Sequence, residues 1–251
     1  MKKLPVFISC NGIKLLLILL IFSTLTKSVN GQVDSVQNLN DSATGKAVSL
    51  KTLILPGALL TTGTLLNLGD LKETIQQDFP GTNTHAEEYL QYVPVAELYA
   101  ADLAGIKARN TVFDQTKYLF ISELFTAAIV HFLKPAANVT RPDGTAHSFP
   151  SGHTSQSFAS ATVLYREFNK TAPFVAYSGY LFSTTTGILR ITNNRHWLPD
   201  VLAGAGIGMV VTNLVYHFQP LKNWQPFHTK QTTFYPSIDY MNGTAGIVMI
   251  F

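Results

Sequence analysis

Two imidazoles, three cations and a carboxylate stand at fixed intervals in the second half of the chain. Six residues separate Lys134 from Arg141, and Pro142 follows. Pro150, Ser151, Gly152 and His153 are consecutive. Five residues separate Arg190 from His196, and three separate His196 from Asp200. An imidazole titrates near neutral pH, so it serves as a neutral nucleophile or as a proton donor. A carboxylate beside it can accept its second ring N–H and hold the tautomer. Guanidinium and ammonium groups balance charge on oxyanions. Each cluster taken alone also has an ordinary reading. Ser151 caps a helix and His153 fills its first turn. Lys134 sits favourably at a helix C-terminus. Arg190 and Asp200 form a solvated pair, and His196-Trp197 is a packed aromatic step.

The elements that carry these residues read as helices. Apolar segments fall at 52–68, 87–106, 117–134, 153–168, 174–190 and 200–218. Pro80-Gly81, Arg109-Asn110, Pro135, Asn169 with Pro173, and Asn193-Asn194 punctuate them. The class is all-α, a bundle of five or six helices with the site at one end. Lys134 ends one helix, His153 begins the next, Arg190 ends the third, and His196 and Asp200 open the fourth. With short antiparallel connections these ends share one face. Three converging cations repel one another unless an anion joins them. Two helix N-termini, at 152 and near 199, add unpaired N–H groups and positive dipole ends. The ligand this arrangement demands is small, multiply anionic and oxygen-rich: phosphate. The tail "TTFYPSIDYMNGTAGIVMIF" carries β-type residues around Asn242-Gly243, which predicts a short hairpin.

The three clusters resemble the signature of the type 2 phosphatidic acid phosphatase (PAP2) superfamily: K-x6-R-P, then P-S-G-H, then S-R-x5-H-x3-D. That superfamily includes the class A bacterial acid phosphatases, lipid phosphatases and vanadium haloperoxidases. Residues 117–218 carry the resemblance. One position departs from it, Leu189 standing where the third motif has Ser. The resemblance implies His196 as nucleophile, His153 as general acid, and Asp200 as the partner of His196. It implies Lys134, Arg141, Arg190, Ser151 and the backbone of Gly152 and His153 as the phosphate cradle. The mechanism requires no metal and no cofactor. His147, Arg195 and Trp197 border the site in sequence without a catalytic role. The stretch "LRITNNRHWLPDVLAGAGIG" is similar to exported phosphatases of Bacteroidetes-type bacteria, some of which act on lipid A phosphates. A lipid-linked phosphate (lipid A, phosphatidate-like or a polyprenyl pyrophosphate) is therefore the expected substrate. A soluble broad-range periplasmic acid phosphatase, a vanadium haloperoxidase and a non-catalytic phosphate-binding protein are the alternatives.

Composition bounds these readings. Apolar residues make up 46% of the 251 and charged residues 13%, against about 25% charged in soluble domains. The net charge of +3, without a Lys/Arg block or a glycine-rich nucleotide fingerprint, argues against nucleic acid. Residues 1–31 read as a signal peptide: Lys2, Lys3 and Lys14, an apolar run from Leu15 to Phe22, then Val29 and Gly31 before a cleavage point at Gln32. An uncleaved anchor is the alternative. Cys10 is the one cysteine, so the mature chain would be cysteine-free, as suits a periplasm. Residues 32–50 read as a flexible segment, 51–221 as the helical phosphatase domain, and 222–251 as a tail. Apart from Arg190 and Asp200 at their ends, 174–190 and 200–218 hold no Asp, Glu, Lys or Arg. Such segments suit either a bilayer or the core of a soluble bundle. Glu123 and His131 in 117–134 are costly facing lipid. If the last four helices all cross with their motif ends outside, 87–106 must cross as well, and 52–68 must lie on the surface or pack against the bundle. The expectation is an exported protein, either membrane-associated and facing the periplasm or soluble there.

Overall fold

The computed structural model describes residues 50–79, 81–218, 220, 221 and 224, and the segments 233–239 and 244–250. The expected signal peptide and nearly all of segment 32–50 lie outside the described residues. Met1–His217 and Phe218–Phe251 form two compact units.

The first unit is all-α among its described residues. Its helices are α1 (Leu50–Asn67), α2 (Leu71–Gln77), α3 (Ala86–Leu90), α4 (Val93–Leu103), α5 (Val112–Ala137), α6 (Gly152–Phe168), α7 (Pro173–Thr192) and α8 (Leu198–His217). The four motif-bearing helices match the expected segments. Two differences stand nearer the N-terminus. Segment 87–106 is divided into α3 and α4, because Pro94 has no N–H to donate to the preceding turn and its ring crowds that turn's carbonyl. Helix α4 spans 11 residues, too short by itself to cross the roughly 30 Å hydrocarbon core, which the topological scheme required of that segment. Helix α2 was not expected; it turns 98° away from α1 after Gly69-Asp70.

Local signals explain the long α5. Thr111 caps its start by accepting from the Asp114 N–H at 3.3 Å. Pro135 does not stop it, because a proline in the last turn costs one hydrogen bond only. Asn138 stops it, adopting a left-handed conformation (φ 48°) while its N–H donates to Lys134 O.

Helix α8 is the buried centre, and its run "AGAGIG" lets two neighbours approach closely. A Cβ on Gly204 would sit 2.7 Å from the oxygen of Ser151, the residue that precedes α6, and one on Gly208 would meet the backbone of Ser155 and Ala159 on α6. A Cβ on Gly206 would sit 2.6 Å from Leu60 N on α1. So α1 packs against the bundle, through the opposite face of α8. Small residues that admit a second backbone are the usual device for tight apolar helix pairs. Phe149 and Ala203 form a small core under the α5–α6 loop, with Leu60, Leu133, Ala137 and Val139 packed around it.

Among the described residues, α5 and α8 are each long and apolar enough to cross a membrane; the bent α1–α2 pair would be a third. Their surroundings differ. Helix α8 is mostly enclosed by protein, whereas α5 exposes Phe120, Leu124, Phe125 and Phe132. Helix α7 exposes Phe174, Tyr177 and Leu181. Glu123 of α5 is turned inward and accepts from Ser160 Oγ at 2.6 Å.

In the second unit, β1 (Thr233–Asp239) and β2 (Thr244–Ile250) pair antiparallel. The register matches Asp239 with Thr244. The link is therefore 240–243, which holds Asn242-Gly243 and lies outside the described residues.

Candidate active site

Helix α8 begins at His196's doorstep, and its first turn organises the pair. Asp200 reaches back so that its Oδ2 accepts the Trp197 N–H at 2.9 Å. This satisfies an orphan donor, and the helix dipole favours the negative charge there. The same Oδ2 lies 3.5 Å from His196 Nδ1 and accepts from Ser148 Oγ. His196 and Asp200 are 1% and 0% exposed. The His196 N–H donates to Arg190 O at 3.1 Å, as does that of Arg195 at 3.0 Å. The α7–α8 turn is thereby wound tightly around Arg190.

The α5–α6 loop is clasped to that turn. Lys134 Nζ donates to His147 O at 2.8 Å, and Ser148 N–H donates to Val139 O at 2.7 Å. Residues 141–145 form a tight turn, with Arg141 N–H donating to Thr145 O at 2.8 Å and Asp143 Oδ1 accepting from Thr145. Trp197 Nε1 donates to Thr140 O at 2.7 Å, and Arg195 pairs with Asp143 at 3.3 Å. Arg195 and Trp197 thus brace the loop. Arg141 Nε and Arg190 Nε are both buried without a hydrogen-bond partner. A buried guanidinium donor without a partner carries a real desolvation cost.

Ser151 occupies the N-cap position of α6, but its hydroxyl makes no capping bond. Its Oγ lies 2.9 Å from Thr154 Oγ1, and its N–H donates to Asp200 O at 3.0 Å. The simple capping reading of Ser151 therefore fails. Gly152 and His153 are in the first turn, where backbone N–H groups have no partner within the helix.

The charges converge. Lys134 is within electrostatic reach of Arg141, Arg190 and Asp200. His153 is within reach of Arg190, Lys134, Glu87 and Glu88. The basicity of both imidazoles is depressed. Burial pushes His196 down to about 4, against the opposing pull of Asp200. Burial, then Arg190, pushes His153 down to about 4. Sequence reasoning placed the His153 working value near that of free imidazole, but burial beside cations is a tertiary property.

Three supporting residues were not foreseen. Ser148, fully buried, donates to Asp200. Thr154 pairs with Ser151. Glu87, on α3, lies 3.5 Å from Arg190 Nη1 and accepts from Asn193 Nδ2 at 2.8 Å. Ser148 and Thr154 flank the Pro-Ser-Gly-His cluster, so proximity was a weak signal for them; Glu87 had none.

Known proteins resemble this chain in the same region. The family model of the PAP2 superfamily matches residues 115–224. Lipid A 1-phosphatase of Porphyromonas gingivalis is 33% identical over 173 residues, covering 67% of this chain and 38% of that protein. The chain thus spans well under half the length of that curated relative. The crystal structure of Aquifex aeolicus LpxE is 22% identical, with a TM-score of 0.44 over 63% of this chain and 94% of that one. The PAP2 type phosphatidylglycerolphosphate phosphatase from Bacillus subtilis is 17% identical, with a TM-score of 0.35 over 86% of this chain and 99% of that one. Through residues 115–224, which hold Lys134, Arg141, His153, Arg190, His196 and Asp200, the chain belongs to the PAP2 superfamily.

Proposed function

We propose that this chain is an exported, membrane-associated phosphatase that hydrolyses a lipid-linked phosphate through a phosphohistidine intermediate. The observation that carries the reading is the convergence of Lys134 and Arg190 on His153 and the buried His196–Asp200 pair, with Arg141 beside both cations.

His196 Nδ1 faces Asp200, which leaves Nε2 to attack phosphorus. A neutral ring is required for attack, and burial keeps it neutral at ordinary pH. As the P–N bond forms, the P–O bond to the leaving group breaks. His153 gives its proton to the departing oxygen. In the second step His153 takes a proton from water, whose oxygen attacks phosphorus and releases His196. Lys134, Arg141 and Arg190 offset the charge on the phosphoryl oxygens throughout. The N–H groups that open α6 add further donors.

The lipid-linked substrate has two supports. One is the relative whose name is lipid A 1-phosphatase. The other is the outward apolar face of α5, which only hydrocarbon removes from water. The chain's start reads as the export signal, ending before Gln32. Lipid A, a phosphatidate and a polyprenyl pyrophosphate all carry the phosphoryl oxygens that such a cradle would hold.

A phosphate-release panel tests the proposal, comparing purified lipid A, a phosphatidate, a polyprenyl pyrophosphate and a soluble alkyl monoester. The expected result is sedimentation with membranes, extraction by detergent, and preference for one lipid phosphate. Full activity in a detergent-free soluble fraction without lipid preference would point instead to a broad-range periplasmic acid phosphatase. Vanadate-dependent bromide oxidation in place of phosphate release would point to a haloperoxidase. Phosphate binding without turnover of any ester would leave a binding protein.

A further inference from the structure

Glu87 is 2% exposed, yet it stands on the five-residue helix α3, far along the chain from every motif residue. Its Oε1 lies 3.5 Å from Arg190 Nη1 and accepts from Asn193 Nδ2 at 2.8 Å. Its Oε2 is buried with no hydrogen-bond partner, as is Arg190 Nε. A buried carboxylate with half its acceptor capacity idle is poorly explained as a staple alone.

The segment carrying it is held against the same end of α7 by uncharged bonds. Gln76 Nε2 donates to Ile191 O at 3.0 Å. Thr82 N–H donates to Thr192 O at 2.8 Å. Asn193 exchanges bonds with Thr84, donating to its O at 2.8 Å and accepting from its N–H at 3.3 Å. Attachment is therefore supplied without Glu87, and the carboxylate adds charge at a chosen point.

That point adjoins two groups of the reaction. Arg190 is one of three cations in the cradle. His153 feels Arg190 from α7 and Lys134 from α5, which disfavour its cationic form, and Glu87 and Glu88 from α3, which favour it. Glu88 is largely exposed and pairs with His85, so solvent screens it. Glu87 is the buried one of the two.

We propose that Glu87 is a positioning residue of this site: its carboxylate, fixed by Asn193, holds the Arg190 guanidinium in place within the cradle. The cradle rests on the phosphatase reading above; the contact of Glu87 with Arg190 does not.

The test is Glu87→Gln in the full-length protein in detergent, which keeps shape and removes charge. Affinity for inorganic phosphate is measured by calorimetry across pH, and kcat and KM on an alkyl phosphate. Phosphate binding at acid pH should stay within about threefold of wild type, because one opposing charge has gone from an anion site. The kcat should drop about tenfold with KM nearly unchanged, as expected when a transition-state contact is misplaced and ground-state binding is not. In an Arg190→Lys background the same change should cost less than about twofold, because the group it positions is gone. Glu87→Asp, which keeps the charge, should restore part of the kcat, and Glu88→Gln should leave it unchanged. Should Glu87→Gln not fold, Glu87→Asp is carried through the same cycle, where its smaller loss must also vanish beside Arg190→Lys. An unchanged kcat, or a loss that persists in full beside Arg190→Lys, overturns the inference. So does parallel loss of phosphate binding and thermal stability in both Glu87→Gln and Glu87→Asp, which is the mark of a staple. Wild-type protein that binds phosphate but cleaves no ester sinks the phosphatase reading, and the same cycle read on phosphate binding then still judges Glu87.

Discussion

The backbone N–H of Ser151 donates to the carbonyl oxygen of Asp200 at 3.0 Å. The first turns of α6 and α8 are therefore bonded directly to each other. His153 rides on one and Asp200 on the other, with His196 just before the latter, so the proposed acid and nucleophile share one floor. Gly204 and Gly208 make this bond accessible by letting the two backbones touch.

His196→Asn should abolish phosphate release with little change in unfolding temperature. The amide can still donate toward Asp200 but cannot attack phosphorus. The loss should be at least about a hundredfold in kcat, because removal of a covalent role costs no less than an acid–base role. Steady-state release and a melt on the same preparation are the measurements, and wild type quenched with detergent at alkaline pH should carry a phosphate that acid then releases and that the variant lacks. Retention of more than about a tenth of wild-type turnover contradicts the assignment.

His153→Ala should discriminate among leaving groups. A general acid matters most when the departing oxygen is strongly basic. An aryl phosphate should lose less than about tenfold, and an alkyl or glycosyl phosphate more than about a hundredfold. Equal losses on the two would reduce His153 to a phosphate contact.

The pH profile follows from the two depressed imidazoles. A histidine whose cationic form is disfavoured is neutral above its lowered pKa, about 4 for His196 and for His153. Attack needs His196 neutral, so kcat/KM should decline as pH falls through about 4. One further proton must be shared between His153 and the substrate phosphate, whose second pKa is about 6. Above that value the proton is lost from the free reactants and kcat/KM declines again. The maximum should lie between about pH 4 and pH 6 for a monoester. A maximum on the alkaline side of neutrality would show that a group other than these two governs the rate.

Gly208→Val should separate α6 from α8. The new side chain would meet the Ser155 carbonyl and come within 2.8 Å of Ala159 N, both backbone atoms that cannot swing aside. Overpacking of this kind costs about 1–3 kcal/mol, a fall in Tm of roughly 3–10 °C for a unit of this size. Activity should fall with it, because the Ser151–Asp200 bond is nearby. Gly57→Ala on α1, where no atom lies within 4 Å, is the contrasting change. It should leave Tm unchanged or raise it, since alanine favours a helix by up to about 1 kcal/mol. Similar melts for the two variants would mean that the glycine contact is not limiting.

The chemistry of the site was legible along the chain because it depends on residue type and short spacing. Lys134 and Arg141 flank one helix end, His153 opens the next helix, and Arg190, His196 and Asp200 fall within one turn and its approach. Apolar segments separated by breakers were enough to predict the four motif helices, since burial of one face imposes its period on the sequence. Folding decided what that local pattern does not encode. Pro94 was visible, but whether it would kink a long helix or divide it depended on what each piece packs against. Glu87 and Ser148 are ordinary residues until tertiary contacts place one beside Arg190 and the other beside Asp200. The values near 4 for His153 and His196 likewise belong to the folded state. An imidazole's affinity for a proton is set by the water removed from around it and the charges brought near, and both come from segments distant in sequence.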